Sequence, residues 1–227
     1  QGDCILLRTP GGKAMLVDAG EAIYAARIKR FLDGFGITRL DAVVATHPHT
    51  DHIGSMAELI SAYEIGTFYL PDTPHTTESY LNMLEALERA HVRTKTVYAP
   101  GTLNLGDKDV SIRILSPFEG VDYNAEGMNN WSVVLRVQYG ETSILLTGDA
   151  EAYAEGVMRA NLKQRCLSSG ITADPPPQRK RSSRLFRLKL PSYLPERTTI
   201  MVTHTAKRLR CSQNTASLFT AQMKAAR

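Results

Sequence analysis

Residues 45–55 read ATHPHTDHIGS and place His47, His49, Asp51 and His52 within six positions. Neutral imidazoles suit zinc, and carboxylates added to them suit manganese as well. Alternate positions on an extended segment point the same way, so His47 and His49 can converge on one ion. The turn that follows aims Asp51 and His52 at a neighbouring point. Two divalent cations about 3.5–4 Å apart would clamp a hydroxide and a phosphoryl or carbonyl oxygen between them. An aspartate shared by both ions would complete the pair. Asp149, at the end of the run ILLTGD, is the candidate, because Gly148 lets the chain turn sharply there. Asp51 and Asp149 are therefore the carboxylates expected to take part in the chemistry. A single histidine ordinarily belongs to a surface or a core, and a single aspartate after glycine to a turn. Four ligand-type side chains in six positions behind a buried strand are not explained that way.

The elements that must position these groups are legible in outline. DCILLRT, PGGK and AMLVDAG read as strand, tight turn and strand. Residues 21–35 place Ile23, Ala26, Ile28, Phe31 and Leu32 at helical spacing, with Gly34 and Gly36 as the stop. LDAVVAT is a short apolar strand covered on both faces, and the histidine cluster follows it as a loop. GSMAELISAYE reads as a helix, IGTFYLP as a strand, and TTESYLNMLEALERAH as a helix capped by threonine. TKTVYA and VSIRILSP are strands. WSVVLRVQYGETSILLTGDA is two strands joined at Tyr139-Gly140-Glu141, and AEAYAEGVMRANL is a helix.

At 227 residues the chain has room for one good-sized α/β domain, or one domain with a tail. No apolar run reaches the roughly 20 residues of a membrane helix, and no signal-peptide pattern opens it. The opening QGDCILL reads as a chain already inside a strand, so a domain truncated at its N-terminus is expected. Cys4, Cys166 and Cys211 show no pairing spacing and are expected as free thiols. The net charge of +4 hides a split: residues 1–164 carry a net −7 and residues 165–227 a net +11. Beyond about Lys163 the sequence has three consecutive prolines, a basic run and no sustained period, a composition of loop or disorder.

THPHTDH, LVDAG and LTGD together resemble the HxHxDH, early Asp-Gly and bridging-aspartate motifs of the metallo-β-lactamase fold. QGDCILLRTPGGKAMLVDAG, LDAVVATHPHTDHIGS and NNWSVVLRVQYGETSILLTGDAEAYAE resemble more narrowly the extracytoplasmic metallo-β-lactamase-like domain of ComEC-type competence channels, over about residues 1–163. The resemblance implies an αββα sandwich of two mixed sheets back to back, with helices outside and two divalent ions (Zn or Mn) at one edge. It implies that Asp18 supports the metal loop from behind. It implies phosphodiester hydrolysis, with DNA as substrate during natural transformation. The partner would be the membrane channel domain of the same parent protein, the location the extracytoplasmic face of the cell membrane, and no small-molecule cofactor is called for. The histidine that most of the superfamily supplies between the HxHxDH loop and Gly-Asp is replaced by MNNWS, so Asn129, Asn130 or Ser132 is expected to line an open first-metal position, with Asn130 and Ser132 behind the ligands. Two other function classes remain: a free-standing hydrolase of small esters, thioesters or lactams, and a non-catalytic DNA-binding domain.

The family's following motifs, HHGS and NxYGHPH, are missing, and His204 sits instead in VTHTA. A displaced reading frame would account for this, the rival being a genuine basic DNA-binding tail. DNA encoding NNDYGHPH as AAC AAC GAT TAT GGT CAC CCA CAC, read one base later, gives TTIMVTHT, the sequence of residues 198–205. GGC ATC ACG GCN encodes residues 170–173, and from its third base reads His-His-Gly. The expectation is a proper domain over residues 1–163 and, over residues 164–227, an out-of-frame remainder of the same domain. The second lobe and second metal site would be incomplete, apolar faces of the second sheet uncovered, and the product poorly stable. On this account the basic charge of the tail reflects codon arithmetic and not contacts with DNA. Sequencing the gene tests this: the displaced frame should run open through the His-His-Gly equivalent, and a stop codon before it would rule the account out.

Overall fold

The computed structural model describes residues 2–168, with side chains through residue 162. Of the proposed frame-shifted segment only residues 164–168, the end of the last helix, lie within them; His204, Cys211 and residues 170–173 and 198–205 lie outside. The first half of the described chain forms β1 (Ile5–Arg8), β2 (Ala14–Val17), α1 (Ala25–Gly34), β3 (Arg39–Val44), α2 (Thr50–Ile53), α3 (Met56–Ala62), β4 (Glu64–Leu70), α4 (Glu78–Arg89) and β5 (Thr94–Thr96). Then follow β6 (Gly101–Leu103), β7 (Val110–Ser116), β8 (Val134–Tyr139), β9 (Thr142–Leu146) and α5 (Ala152–Ser168).

The first sheet runs β1-β2-β3-β4-β5. The β1–β2 hairpin is antiparallel and the other pairs are parallel. Helices connect the parallel neighbours, as parallel pairing requires. Residues of one strand alternate between faces. Leu16 and Val43 pack toward α1, α3 and α4 with Leu32, Leu59 and Met83. Met15, Val17, Ala42 and Val44 face the second sheet and meet Ile112, Ile114, Leu135 and Leu146. This two-sided burial explains why AMLV and LDAVV are apolar almost throughout. Val17 pairs with Val44, and Val44 with Tyr69, so β2, β3 and β4 all end at one edge. The segments that follow them start side by side.

Among the described residues the second sheet runs β6-β7-β8-β9, and these three pairings are antiparallel. Gly140, at φ 53, makes the hairpin between β8 and β9. α5 reaches β7 and the 3-10 turn Met128–Trp131, and Ala154 packs against Tyr123 and Trp131. The layer order is thus helices, sheet, sheet, helix: the αββα sandwich.

Several local expectations are corrected. The segment after His49 is the helical turn α2, not a loop. β6 carries no long apolar run and was not foreseen. The chain before α1 forms a 3-10 turn over Ala22–Tyr24, which shifts the helical phase. Ile28 and Leu32 are buried as expected, whereas Ile23 is 76% exposed and Ala26 also faces outward. Thr77 sits at the start of α4 without a side-chain bond to the helix amides, because its hydroxyl engages His75. Among the described residues the large exposed apolar side chains are Ile23, Phe35, Leu81, Leu84 and Tyr153, and Val137, Ile144 and Leu145 of the β8–β9 hairpin are half-buried. Cys4 is a free thiol whose pKa burial pushes up to about 12.

Leu16 is fully buried between β2 and the helices. Leu16→Ala should lower the unfolding free energy by about 2–5 kcal/mol in denaturant titration, through lost burial and the cavity left behind.

Candidate metal centre

The centre is built on Asp18, the first residue after β2. Asp18 is 1% exposed and adopts φ 56, a left-handed conformation that aspartate tolerates better than most residues. Its Oδ1 accepts the Thr46 amide N–H at 2.8 Å, and its Oδ2 accepts the Thr46 hydroxyl at 2.7 Å. His52 Nδ1 donates to the same Oδ2 at 2.8 Å. One carboxylate therefore ties the end of β2 to both ends of the HxHxDH segment.

These bonds also set the imidazole tautomers. Thr46 has one hydroxyl proton and gives it to Asp18. Its oxygen then accepts from His47 Nδ1, 3.0 Å away. The proton of neutral His47 thus lies on Nδ1, and the lone pair is on Nε2. His47 Nε2 lies 3.1 Å from His49 Nδ1, so the two histidines converge as their spacing suggests. His52, anchored through Nδ1, presents Nε2 at 3.4 Å from Asp149 Oδ2 and 3.9 Å from Asp51 Oδ2. One ligand atom each from His47, His52 and Asp149 lie within 4.8 Å of one another.

Asp149 arrives from the other sheet. Gly148, at φ 49, lies against Thr46 and Ser132: a Cβ there would stand 3.0 Å from Thr46 Cβ and 3.1 Å from Ser132 Oγ. Ser132 is fully buried, accepts the Asp149 amide N–H at 3.1 Å, and approaches His47 Nδ1 at 3.4 Å. It fixes both groups without being aimed at the ligand atoms. Asn130 is buried, but its amide bonds Glu126 O and Glu151, and its Oδ1 accepts the Ala154 N–H of α5. Asn129 donates to Glu151. Neither asparagine hydrogen-bonds a residue of the cluster.

Electrostatics fit a cation here. Asp3, in the QGD opening, comes close enough to feel the charges of Asp18, Asp51, His52 and Asp149. Burial, and then the charges of Asp18, Asp149 and Asp51, outweigh His52 and push Asp3 up to about 6. Such an excess of carboxylates is favourable only with positive charge among them. In the metal-free chain His52 supplies it. Burial opposes its charged form, yet hydrogen bonds and charges of Asp149 and Asp18 hold its pKa up at about 10. The His52 hydrogen bond in turn holds Asp149 below the usual carboxylate range, against its partial burial. Burial and the neighbouring His52 push His47 down to about 3, so it is a neutral ligand at any ordinary pH. His47, His52 and Asp149 thus bring together nitrogen and oxygen donors of the kind divalent cations take, while His49 lies beside His47 and Asp51 stands 3.9 Å from His52, outside that group of three.

The sequence profile of the Metallo-beta-lactamase superfamily matches residues 1–198, and the chain belongs to that superfamily. The match runs past the boundary placed at residue 163. Among curated relatives, ComE operon protein 3 of Bacillus subtilis is 32% identical over 125 residues, 55% of this chain and 16% of that protein. Recombination protein 2 of Haemophilus influenzae is 27% identical over 156 residues, 66% of this chain and 17% of that protein. Ribonuclease Z of a Mycobacterium species is 26% identical over 155 residues, 61% of this chain and 52% of that protein. The chain therefore spans only part of the length of each relative.

Two outcomes follow. A metal ion must displace the His52 proton, so affinity should rise about tenfold per pH unit below pH 10. Calorimetry in buffers of different ionisation enthalpy should show about one proton released per chain at pH 7. Gly148→Ala, strained at positive φ and crowding Thr46 and Ser132, should displace Asp149 and weaken metal binding by at least about tenfold in the same titration.

Proposed function

We propose that this chain is a divalent-metal-dependent phosphodiesterase domain acting on nucleic acid, with DNA as the substrate class. The observation that supports it most is the approach of Asp149, from the second sheet, to His52 and His47 of the HxHxDH segment, within 4.8 Å. His47 and His49 would hold the first ion, Asp51 and His52 the second, and Asp149 both. Bound there, divalent cations lower the pKa of a water and neutralise charge on phosphoryl oxygens.

The chain's own residues supply the positioning. Asp18 holds His52 and Thr46 in place, and Thr46 orients His47. Ser132 fixes the backbone of Asp149. Asp149 places negative charge beside His52 and favours positive charge there, and Asp51, 3.9 Å from the same nitrogen, would join it as a ligand. Phosphodiester substrates are favoured by the relatives, one of which is named a ribonuclease. The competence reading draws on ComE operon protein 3 and Recombination protein 2, which suggest DNA handled during uptake. In that setting the domain would sit at the extracytoplasmic face beside a channel domain. No helix among the described residues is long and apolar enough to cross a membrane. Because no His-His-Gly motif follows Asp149, the second position would bind its ion weakly and turnover would be low.

The test is nicking of supercoiled plasmid by the manganese-loaded chain, with a chromogenic lactam as a control substrate. Slow nicking without lactam cleavage is expected. Asp149→Asn should reduce it by at least about 100-fold, since even partners behind the ligands are worth 10–100-fold. Lactam turnover without nicking would overturn the proposal.

A further inference from the structure

We propose that His75 positions the substrate at this site, donating a hydrogen bond from its ring to a phosphate oxygen of the nucleic-acid strand beside the His47–His49 pair; the assignment rests on the phosphodiesterase reading above. His75 lies outside the HxHxDH segment, in the connection between β4 and α4. That connection leaves the same sheet edge as the metal loop, since β3 and β4 end in register. The His75 ring stands edge-on to His49, with centroids 6.4 Å apart at 81°. On its other side it meets Tyr80 at 6.3 Å, a side chain 9% exposed.

The ring is chemically set as a donor. The Thr77 backbone N–H donates to His75 Nδ1 at 3.3 Å, and the Thr77 hydroxyl is 3.0 Å from the same atom. A backbone amide can only donate, so Nδ1 is the acceptor and the neutral ring carries its proton on Nε2. Nε2 has no hydrogen-bond partner among the described residues. The connection that carries the ring is itself held. Pro71 and Thr73 are buried, and the Thr73 hydroxyl contacts Met128 Sδ at 4.0 Å in the 3-10 turn leading to Ser132. A half-buried imidazole on such a support, with one nitrogen fixed and the other unpaired, is preorganised to bind an acceptor.

Distance separates this role from that of a metal ligand. The ring pairs within the cluster lie closer, His47–His49 at 4.7 Å and His47–His52 at 4.2 Å. The His75 ring stands one layer farther out, beside His49. It therefore does not replace the histidine missing from MNNWS.

The experiment uses the full chain loaded with manganese and a fluorescent phosphorothioate-linked single-stranded thymidine hexamer, read by anisotropy, with manganese content measured in parallel. H75F keeps a ring against His49 and Tyr80 but has no donor; H75Q restores a neutral donor. H75F should weaken probe binding about tenfold, the size of one lost hydrogen bond to a charged group, and H75Q should recover most of it. Manganese content should be unchanged in both. Unchanged binding by H75F, or equal losses in H75F and H75Q, overturns the assignment alone. Loss of manganese together with binding makes His75 a ligand and also overturns it. A parent chain that holds manganese yet does not bind the probe overturns the nucleic-acid reading, and the assignment with it.

Discussion

The buried carboxylate of Asp18 is the constraint on which the site depends. It accepts the Thr46 amide, the Thr46 hydroxyl and His52 Nδ1 within 2.8 Å. A buried carboxylate needs such partners, because burial alone drives it toward the neutral form. The partners are the residues that must be ordered: Thr46 precedes the histidine pair, and His52 closes the segment. Satisfying one buried charge thus folds the ligand loop, and the Thr46 oxygen passes the order on to His47 by fixing its tautomer. His47 Nε2 is left facing His49 and His52 Nε2 facing Asp149.

The sandwich supplies the rest. The first sheet ends β2, β3 and β4 at a common edge, and the hairpin β8–β9 of the second sheet delivers Asp149 to the same edge. Neither sheet alone carries both halves of the donor set. The core between the sheets, formed by Met15, Val44, Ile112 and Leu135, therefore positions the ligands as well as stabilising the fold. Gly148 is small because Thr46 and Ser132 leave no room, so the approach of the two lobes is set by contact. What accumulates at the edge is negative charge, from Asp3, Asp18, Asp51 and Asp149, balanced in the metal-free chain by one protonated histidine. A proton on His52 Nε2 stands where the geometry favours a divalent cation.

Local spacing made the ligand segment legible: HxHxDH after a two-faced apolar strand, and Gly-Asp after another. Elements with long periods, such as α4 with Tyr80, Met83 and Leu87 buried, were legible for the same reason. Groups whose role arises only across the fold were not. Thr46 looks like a strand end, yet its hydroxyl connects Asp18 to His47. Asp3 lies 44 positions before the first ligand histidine, and only the topology brings it in. His75 reads as a loop residue until its ring is seen against His49. Asn130 is a different case. It sits beside a site motif, but its amide is consumed by the carbonyl of Glu126 and the first turn of α5. Ile23 fell out of phase because the helix opens with a 3-10 turn.

Anomalous diffraction from crystals grown with zinc tests the central claim most directly. The account predicts a peak within about 2.0–2.2 Å of His47 Nε2, His49 Nδ1 and Asp149, with a weaker peak toward Asp51 and His52. An anomalous map with no peak at this edge, or with zinc held elsewhere while Asp149 stays paired only to His52, would contradict it.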